Sequence, residues 1–158
     1  MLDYNSYLKR RPLLYCFIAY TLISCEFSSE EKKRTNSAVN NLSYVNQSEL
    51  DKSIERGAEI YTDFCVTCHR PAGDGIDGSF PPLAGSDYLM NNRIESIKAV
   101  KYGQQGEIVV NGSTYNSVMA ALGLDDEEVA DVLNYAMNSW GNEQDKMITT
   151  QEVTAVRK

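Results

Sequence analysis

The sequence predicts a small all-α domain of three main helices with one short β-hairpin between the second and the third. Three observations predict it. Apolar residues recur at helical spacing near both ends of a stretch spanning roughly residues 50–141. All ten glycines fall between Gly57 and Gly141, which sets this stretch apart from what flanks it. One Asn-Gly pair, Asn111-Gly112, sits between two short β-prone runs and signals a two-residue hairpin turn.

The elements follow in order. Ile54, Gly57, Ala58, Tyr61 and Phe64 mark a first helix over 51–65. A second starts at Asn92, with Glu95 three residues on, and runs through Ile94, Ile97 and Val100 to Gly103. Glu107 to Tyr115 forms the hairpin. In the last helix Val129, Val132, Leu133, Ala136, Met137 and Trp140 make one apolar stripe. Asp125 with Glu128 resembles a capping box, and Gly141 lies just past the end. The rest is loop, rich in Gly and Pro from Pro71 to Gly85.

At 158 residues the chain suits one domain with accessories. With 42% hydrophobic and 23% charged residues it is neither a disordered acidic tail nor a polytopic membrane protein. A net charge of −7 argues against nucleic acid, whose phosphates call for clustered Lys and Arg. The single histidine, His69, excludes a three-His metal centre and any second imidazole ligand from this chain.

The N-terminus reads as an export signal. Lys9, Arg10 and Arg11 precede the uncharged run Pro12–Leu22, which is too short for the roughly 20 residues of a membrane span. Leu22-Ile23-Ser24-Cys25 looks like a bacterial lipobox, in which cleavage precedes the cysteine and the thiol carries a diacylglycerol. The expected organisation is therefore a lipoprotein signal peptide at 1–24, a lipidated Cys25 and flexible tether at 25–49, a folded domain at 50–141 and a C-terminal tail at 142–158. Cys16 is then discarded. Cleavage removes Lys9, Arg10 and Arg11 along with Asp3 and takes the net charge from −7 to −9. The tether holds five Ser, four Asn and four Glu in 26–49, too little apolar surface to offset ordering entropy.

Cys65-Val66-Thr67-Cys68-His69 is C-x-x-C-H, the attachment pattern of c-type haem. At a helix end, two cysteines three apart can reach the two vinyl groups on one porphyrin edge. The histidine that follows then supplies an axial nitrogen. A thioredoxin-like pair would need a βαβ context that is absent, and a zinc site would lack a fourth thiolate or imidazole. With no second histidine, a methionine thioether is the expected sixth ligand. Met119 fits best, in a non-helical segment after the hairpin. Met90 and an open sixth position are the alternatives, while Met137 reads as core and Met147 as tail.

With these residues in view, Arg56–Tyr61, Cys65–His69, Phe80–Gly85, Tyr115–Met119 and Asp131–Tyr135 together resemble the class I (mitochondrial-type) monohaem cytochromes c. The resemblance implies three main helices around one covalently bound haem c. It implies that Gly57 and Tyr61 cross against Val132 and Tyr135, and that Pro81 of Pro81-Pro82-Leu83-Ala84-Gly85 accepts the Nδ1–H of His69. More narrowly, Phe80 to Trp140 is similar to cytochrome c domains associated with copper nitrite reductases and haem–copper oxidases. Where many relatives have proline after the ligand methionine, this chain has Ala120, which bears on loop rigidity rather than ligand identity.

The expected function is that of a single-electron carrier with His69 and Met119 on the iron, and not an enzyme. It is expected to be lipid-anchored on the periplasmic side of the inner or outer membrane, monomeric, and to serve a respiratory or reductase partner. An open sixth site would instead make it a gas sensor or peroxidase-like protein. Arg93 is expected as a solvated charge or a propionate partner. Tyr88, Tyr102, Tyr115 and Trp140 are candidates to line the haem.

Overall fold

The computed structural model describes residues 47–144 and 146–158. The signal sequence, Cys16, Cys25 and most of the tether lie outside them. The chain is helical from residue 47 through 64 (α1), so the stretch expected as a tether, with a short helix allowed near its end, is helical at residues 47–49. Val66–His69 (α2) follows after a one-residue turn at Cys65. Then come Asp87–Asn91 (α3), Arg93–Tyr102 (α4), strands Ile108–Val110 (β1) and Ser113–Tyr115 (β2), Asp126–Ala136 (α5) and Thr150–Ala155 (α6).

Helix α1 buries Ser53, Gly57 and Tyr61, one residue per turn, against α5. A Cβ at Gly57 would collide with the Asp131 carbonyl and lie 2.8 Å from Tyr135 Cβ, so only glycine lets these helices cross this closely. The nearest neighbours of Gly57 are therefore Asp131 and the expected Tyr135, and Tyr61 packs on Tyr135 with ring centroids 5.3 Å apart. Val132 faces the interior cavity described below. Polar bonds fix the crossing. Asp131 accepts from Ser53 Oγ at 2.6 Å and from Arg56 Nη2 at 2.8 Å. Asn134 Nδ2 donates to Ser53 Oγ at 2.8 Å.

The capping box at α5 forms as expected. Asp125 Oδ1 accepts from the Glu127 and Glu128 amides, and Glu128 Oε2 accepts from the Asp125 amide, each at 2.9 Å. The helix ends at Ala136, however, four residues before Trp140. Trp140 adopts a φ of +54° and leaves the helical stripe to pack over Gly73. At α4, Asn92 does not cap with its side chain. Its Nδ2 turns back to the Tyr88 carbonyl at 3.1 Å, because α3 precedes it. The hairpin has the expected register, Ile108 opposite Tyr115 and Val110 opposite Ser113. Asn111 and Gly112 have φ of +50° and +77°, the signs of a type I′ turn.

The largest departure is at the C-terminus. Residues 142–158, expected as a tail, fold onto the domain: Ile148, Val153 and Val156 join Ile97, Val129, Leu133 and Met137 in one core cluster. Arg93 holds them there. Its guanidinium donates to Glu152 Oε1 at 2.6 Å and Oε2 at 2.7 Å, and to the Lys146 and Met147 carbonyls at 2.9 Å. Arg93 is thus neither a solvated charge nor free to meet a propionate. Short apolar runs separated by polar residues carry too little periodicity to show this from sequence. Among the described residues, no helix is long and apolar enough to cross a membrane.

Candidate functional site

Helix α2 presents the C-x-x-C-H residues from a single turn. The His69 amide donates to the Cys65 carbonyl at 2.9 Å, and Arg70, at φ +61°, ends the helix there. Tyr61 Oη anchors this corner by donating to the Arg70 carbonyl at 2.6 Å. Tyr61, Tyr135 and Trp140 form an aromatic cluster with centroids 5.1 to 5.5 Å apart, and Trp140 Nε1 donates to the Pro71 carbonyl at 3.1 Å. The α1–α5 crossing and the motif are therefore mechanically continuous.

His69 Nδ1 lies 3.0 Å from the Pro81 carbonyl. A carbonyl only accepts, so Nδ1 carries the proton and Nε2 keeps its lone pair. Such a bond fixes the ring and strengthens it as a ligand. Burial lowers the imidazole pKa, and the Pro81 bond opposes part of that shift, so the ring favours its neutral, ligating form. The Pro81 carbonyl is held by the loop. The Gly73 carbonyl accepts from the Leu83 amide at 2.7 Å and the Ala84 amide at 2.9 Å, and Ile76 pairs with Phe80. Gly75, at φ +65°, lets this backbone pass close beneath.

Cys65, Cys68 and His69 open onto a cavity of about 450 Å³, within the range of roughly 300–1,000 Å³ typical of cofactor and ligand sites. Its walls are mostly apolar: Phe64, Phe80, Leu83, Leu89, Val100, Ile108, Val110, Val132 and Leu133 among them. Among the described residues no lysine, arginine, aspartate or glutamate lines it. Burial, with a smaller push from Cys68, raises the Cys65 thiol to about 11. Among the described residues no group of three His, Cys, Asp or Glu side chains is arranged to hold a metal ion.

Met119 lines the same cavity, whereas Met90, Met137 and Met147 do not. Met90 and Met137 pack in the core cluster instead. The Met119 backbone is clamped to Gln104, with Gln104 N to Met119 O at 2.8 Å and Met119 N to Gln104 O at 2.9 Å. Gly103, at φ +82°, permits this approach, since a Cβ there would meet the Met119 carbonyl oxygen at 2.7 Å. This bridge holds the Met119 backbone directly before Ala120. Tyr88 and Tyr115 line the cavity as expected, while Tyr102 donates to the Val156 carbonyl and Trp140 packs on Gly73. Sequence reasoning missed Gln104, which carries no local signal because its backbone acts on Met119, 15 residues on in the chain.

A neutral, apolar cavity with two thiols, a fixed imidazole and one thioether suits a flat, largely apolar macrocycle with a metal at its centre. The cytochrome c family model matches residues 54–140. The chain belongs to the cytochrome c family. It is a class I monohaem cytochrome c, carries covalently bound haem c, and is an electron-transfer protein rather than an enzyme. It is 42% identical over 110 residues to cytochrome c-552 of Thermus thermophilus, covering 64% of this chain and 83% of that one. It is 32% identical over 105 residues to the cytochrome c subunit of a quinone alcohol dehydrogenase from Gluconacetobacter polyoxogenes. A gluconate 2-dehydrogenase cytochrome c subunit from Pantoea cypripedii is 30% identical over 122 residues. The match covers 64% and 66% of this cytochrome c, but only 22% and 24% of those two subunits.

Proposed function

We propose that this cytochrome c carries single electrons with His69 Nε2 and Met119 Sδ as axial ligands and with Cys65 and Cys68 as thioether anchors. The carrying observation is that a ring fixed by Pro81 and a methionine clamped by Gln104 line one cavity. Haem c, when bound, supplies the iron that gains and loses one electron. The chain's contribution is to fix both donors before and after each transfer, so little reorganises. The Pro81 bond keeps His69 in one tautomer. The apolar wall excludes water and disfavours extra positive charge, which raises the reduction potential, as a thioether ligand also does.

The ferric protein tests the ligand assignment. It is expected to show the weak red-edge sulfur-to-iron charge-transfer band and a low-spin spectrum, both lost in Met119→Ala. A high-spin spectrum without that band would instead support the open-site sensor or peroxidase-like alternative. Intact mass should rise by one haem and return to the apo value in a Cys65→Ala/Cys68→Ala chain.

Anchoring and partner extend the same reading. The lipobox at Cys25 supports a lipid anchor on the periplasmic side. Fatty-acid labelling lost in Cys25→Ala tests it. The partner is an exported oxidoreductase: a copper nitrite reductase or haem–copper oxidase on the strength of Phe80–Trp140, or a quinone-dependent dehydrogenase on the strength of the relatives' names. The acidic balance of the chain favours a basic docking face. Electron transfer that slows as salt rises fits this, and a salt-independent rate does not.

A further inference from the structure

Asn142 opens the segment that was expected as a tail, yet it is only 6% exposed. Its carboxamide makes three hydrogen bonds. Nδ2 donates to the Ala136 carbonyl at 2.8 Å and to the Leu83 carbonyl at 2.9 Å, while Oδ1 accepts from the Gly85 amide at 2.9 Å. The first meets a carbonyl left open at the end of α5. The other two run to the loop that carries Pro81. Two carbonyls call for the NH2 end and one amide for the oxygen, so the partners fix the orientation of the group. Aspartate has the same shape but, when ionised, no donor, and alanine has neither donor nor acceptor.

Pro81 and Pro82 have no N–H, so the backbone between Phe80 and Leu83 donates no hydrogen bond. The Pro81 carbonyl therefore takes its place from the anchors on either side. Upstream, Phe80 pairs with Ile76. Downstream, the Leu83 and Ala84 amides donate to the Gly73 carbonyl. Ile76 and Gly73 belong to the same loop and would move with it. Asn142 reaches outside the loop and ties Leu83 and Gly85 to the end of α5, which is itself locked against α1. We propose that Asn142 is a positioning residue for His69: by pinning the loop to α5 it keeps the Pro81 carbonyl on His69 Nδ1 through each electron transfer. This rests on the reading of His69 as the axial nitrogen. A carbonyl that accepts from Nδ1–H makes the ring a stronger donor, and a stronger donor favours ferric iron. A loosened loop weakens that bond and favours the ferrous protein.

The test uses the holoprotein and three variants. Asn142→Ala should speed exchange of the His69 Nδ1 proton about tenfold, because the loop opens more easily, and NMR of the ferrous protein reads it. The ferrous-to-ferric ratio at fixed potential should rise about threefold, a rise in reduction potential of about 28 mV at 59 mV per tenfold. Asn142→Asp, which keeps the volume and loses both donated bonds, should do the same. Val153→Ala, which thins the C-terminal packing from α6, should lower the melting temperature and leave both quantities unmoved. Unchanged exchange in Asn142→Ala overturns the proposal, and so does faster exchange with an unmoved potential, since the bond would then not set the donor strength of the ring. An Asn142→Asp protein that behaves as wild type overturns it by marking Asn142 as filler. A Val153→Ala protein with the same changes overturns it by marking general loosening. Wild-type His69 ring protons that lack the large upfield shift of the haem ring current overturn the proposal and the His69 reading together. Shifted protons with an exchange rate that Asn142→Ala leaves alone overturn the Asn142 proposal only.

Discussion

At Gly57 the fold tolerates no atom beyond hydrogen, because the Asp131 backbone of α5 occupies the space where a side chain would begin. Alanine is worth about 1 kcal/mol more than glycine in an exposed helix interior, so a packing-neutral site would gain from the change. Gly57→Ala is expected to do the reverse and cost about 3 kcal/mol, the upper part of the usual range for overpacking, because both helices must separate. Thermal unfolding of the holoprotein decides the sign. His69 shows the same economy at the site. One carbonyl, on Pro81, selects its tautomer and leaves a single nitrogen available. Cysteine and histidine identities were legible in the sequence because covalent attachment and ligation demand those side chains at one fixed spacing. Gln104 was not, because what matters there is a backbone bond to Met119, which leaves no residue-type signature.

At the level of elements, helices with local instructions were the legible ones. The Asp125–Glu128 box starts α5 as expected, and Asn111-Gly112 turns the hairpin, because caps and tight turns are decided within four residues. Helix α6 is held by distant partners instead. Arg93 of α4 grips Glu152, and Asn134 of α5 pairs with Ile148 much as a strand would, accepting from its amide at 2.8 Å and donating to its carbonyl at 2.9 Å. This arrangement has a pH signature. The hydrogen bonds from Arg93 hold the Glu152 carboxyl below its ordinary 4.5. The stability this contributes is therefore fully present above about 4.5 and is lost as pH falls through the lowered folded-state value. Glu152→Gln should cost about 2 kcal/mol at neutral pH, within the range for hydrogen bonds to a charged group. The difference from wild type should shrink when melting is measured well below 4.5. An equal difference at both pH values would mean the carboxylate charge contributes nothing.

For the whole molecule, the core is shared among α4, α5 and α6 on one side and the haem cavity on the other. Removing residues 142–158 withdraws Ile148, Val153 and Val156 from that core. At roughly 1.5–3 kcal/mol per fully buried aliphatic side chain, the loss is on the order of 5 kcal/mol, a large share of a small domain's stability. A chain ending at 141 should melt far below the full chain even with haem attached. If the two melt alike, the C-terminal segment is the appendage that its composition suggested.

The cavity sets the larger dependence. Its walls are mostly apolar, so water is a poor substitute for haem within them. A void of about 450 Å³, at roughly 24 cal/mol per Å³, would cost on the order of 11 kcal/mol if the walls stayed rigid. That is comparable with the entire folding free energy of an ordinary domain, about 5–15 kcal/mol. The walls therefore cannot stay rigid without haem, and collapse must give up the placement of Met119 and of the Pro81 loop. The Cys65→Ala/Cys68→Ala chain freed of haem is expected to keep part of its helical signal, carried by α5 with its intact capping box, but to lose fixed aromatic packing around Tyr61, Tyr135 and Trp140. Far-ultraviolet and near-ultraviolet circular dichroism read these separately. A sharp, cooperative transition with native near-ultraviolet signal in that chain would show that the protein shell holds its shape unaided, and that haem is a guest in the fold rather than part of its core.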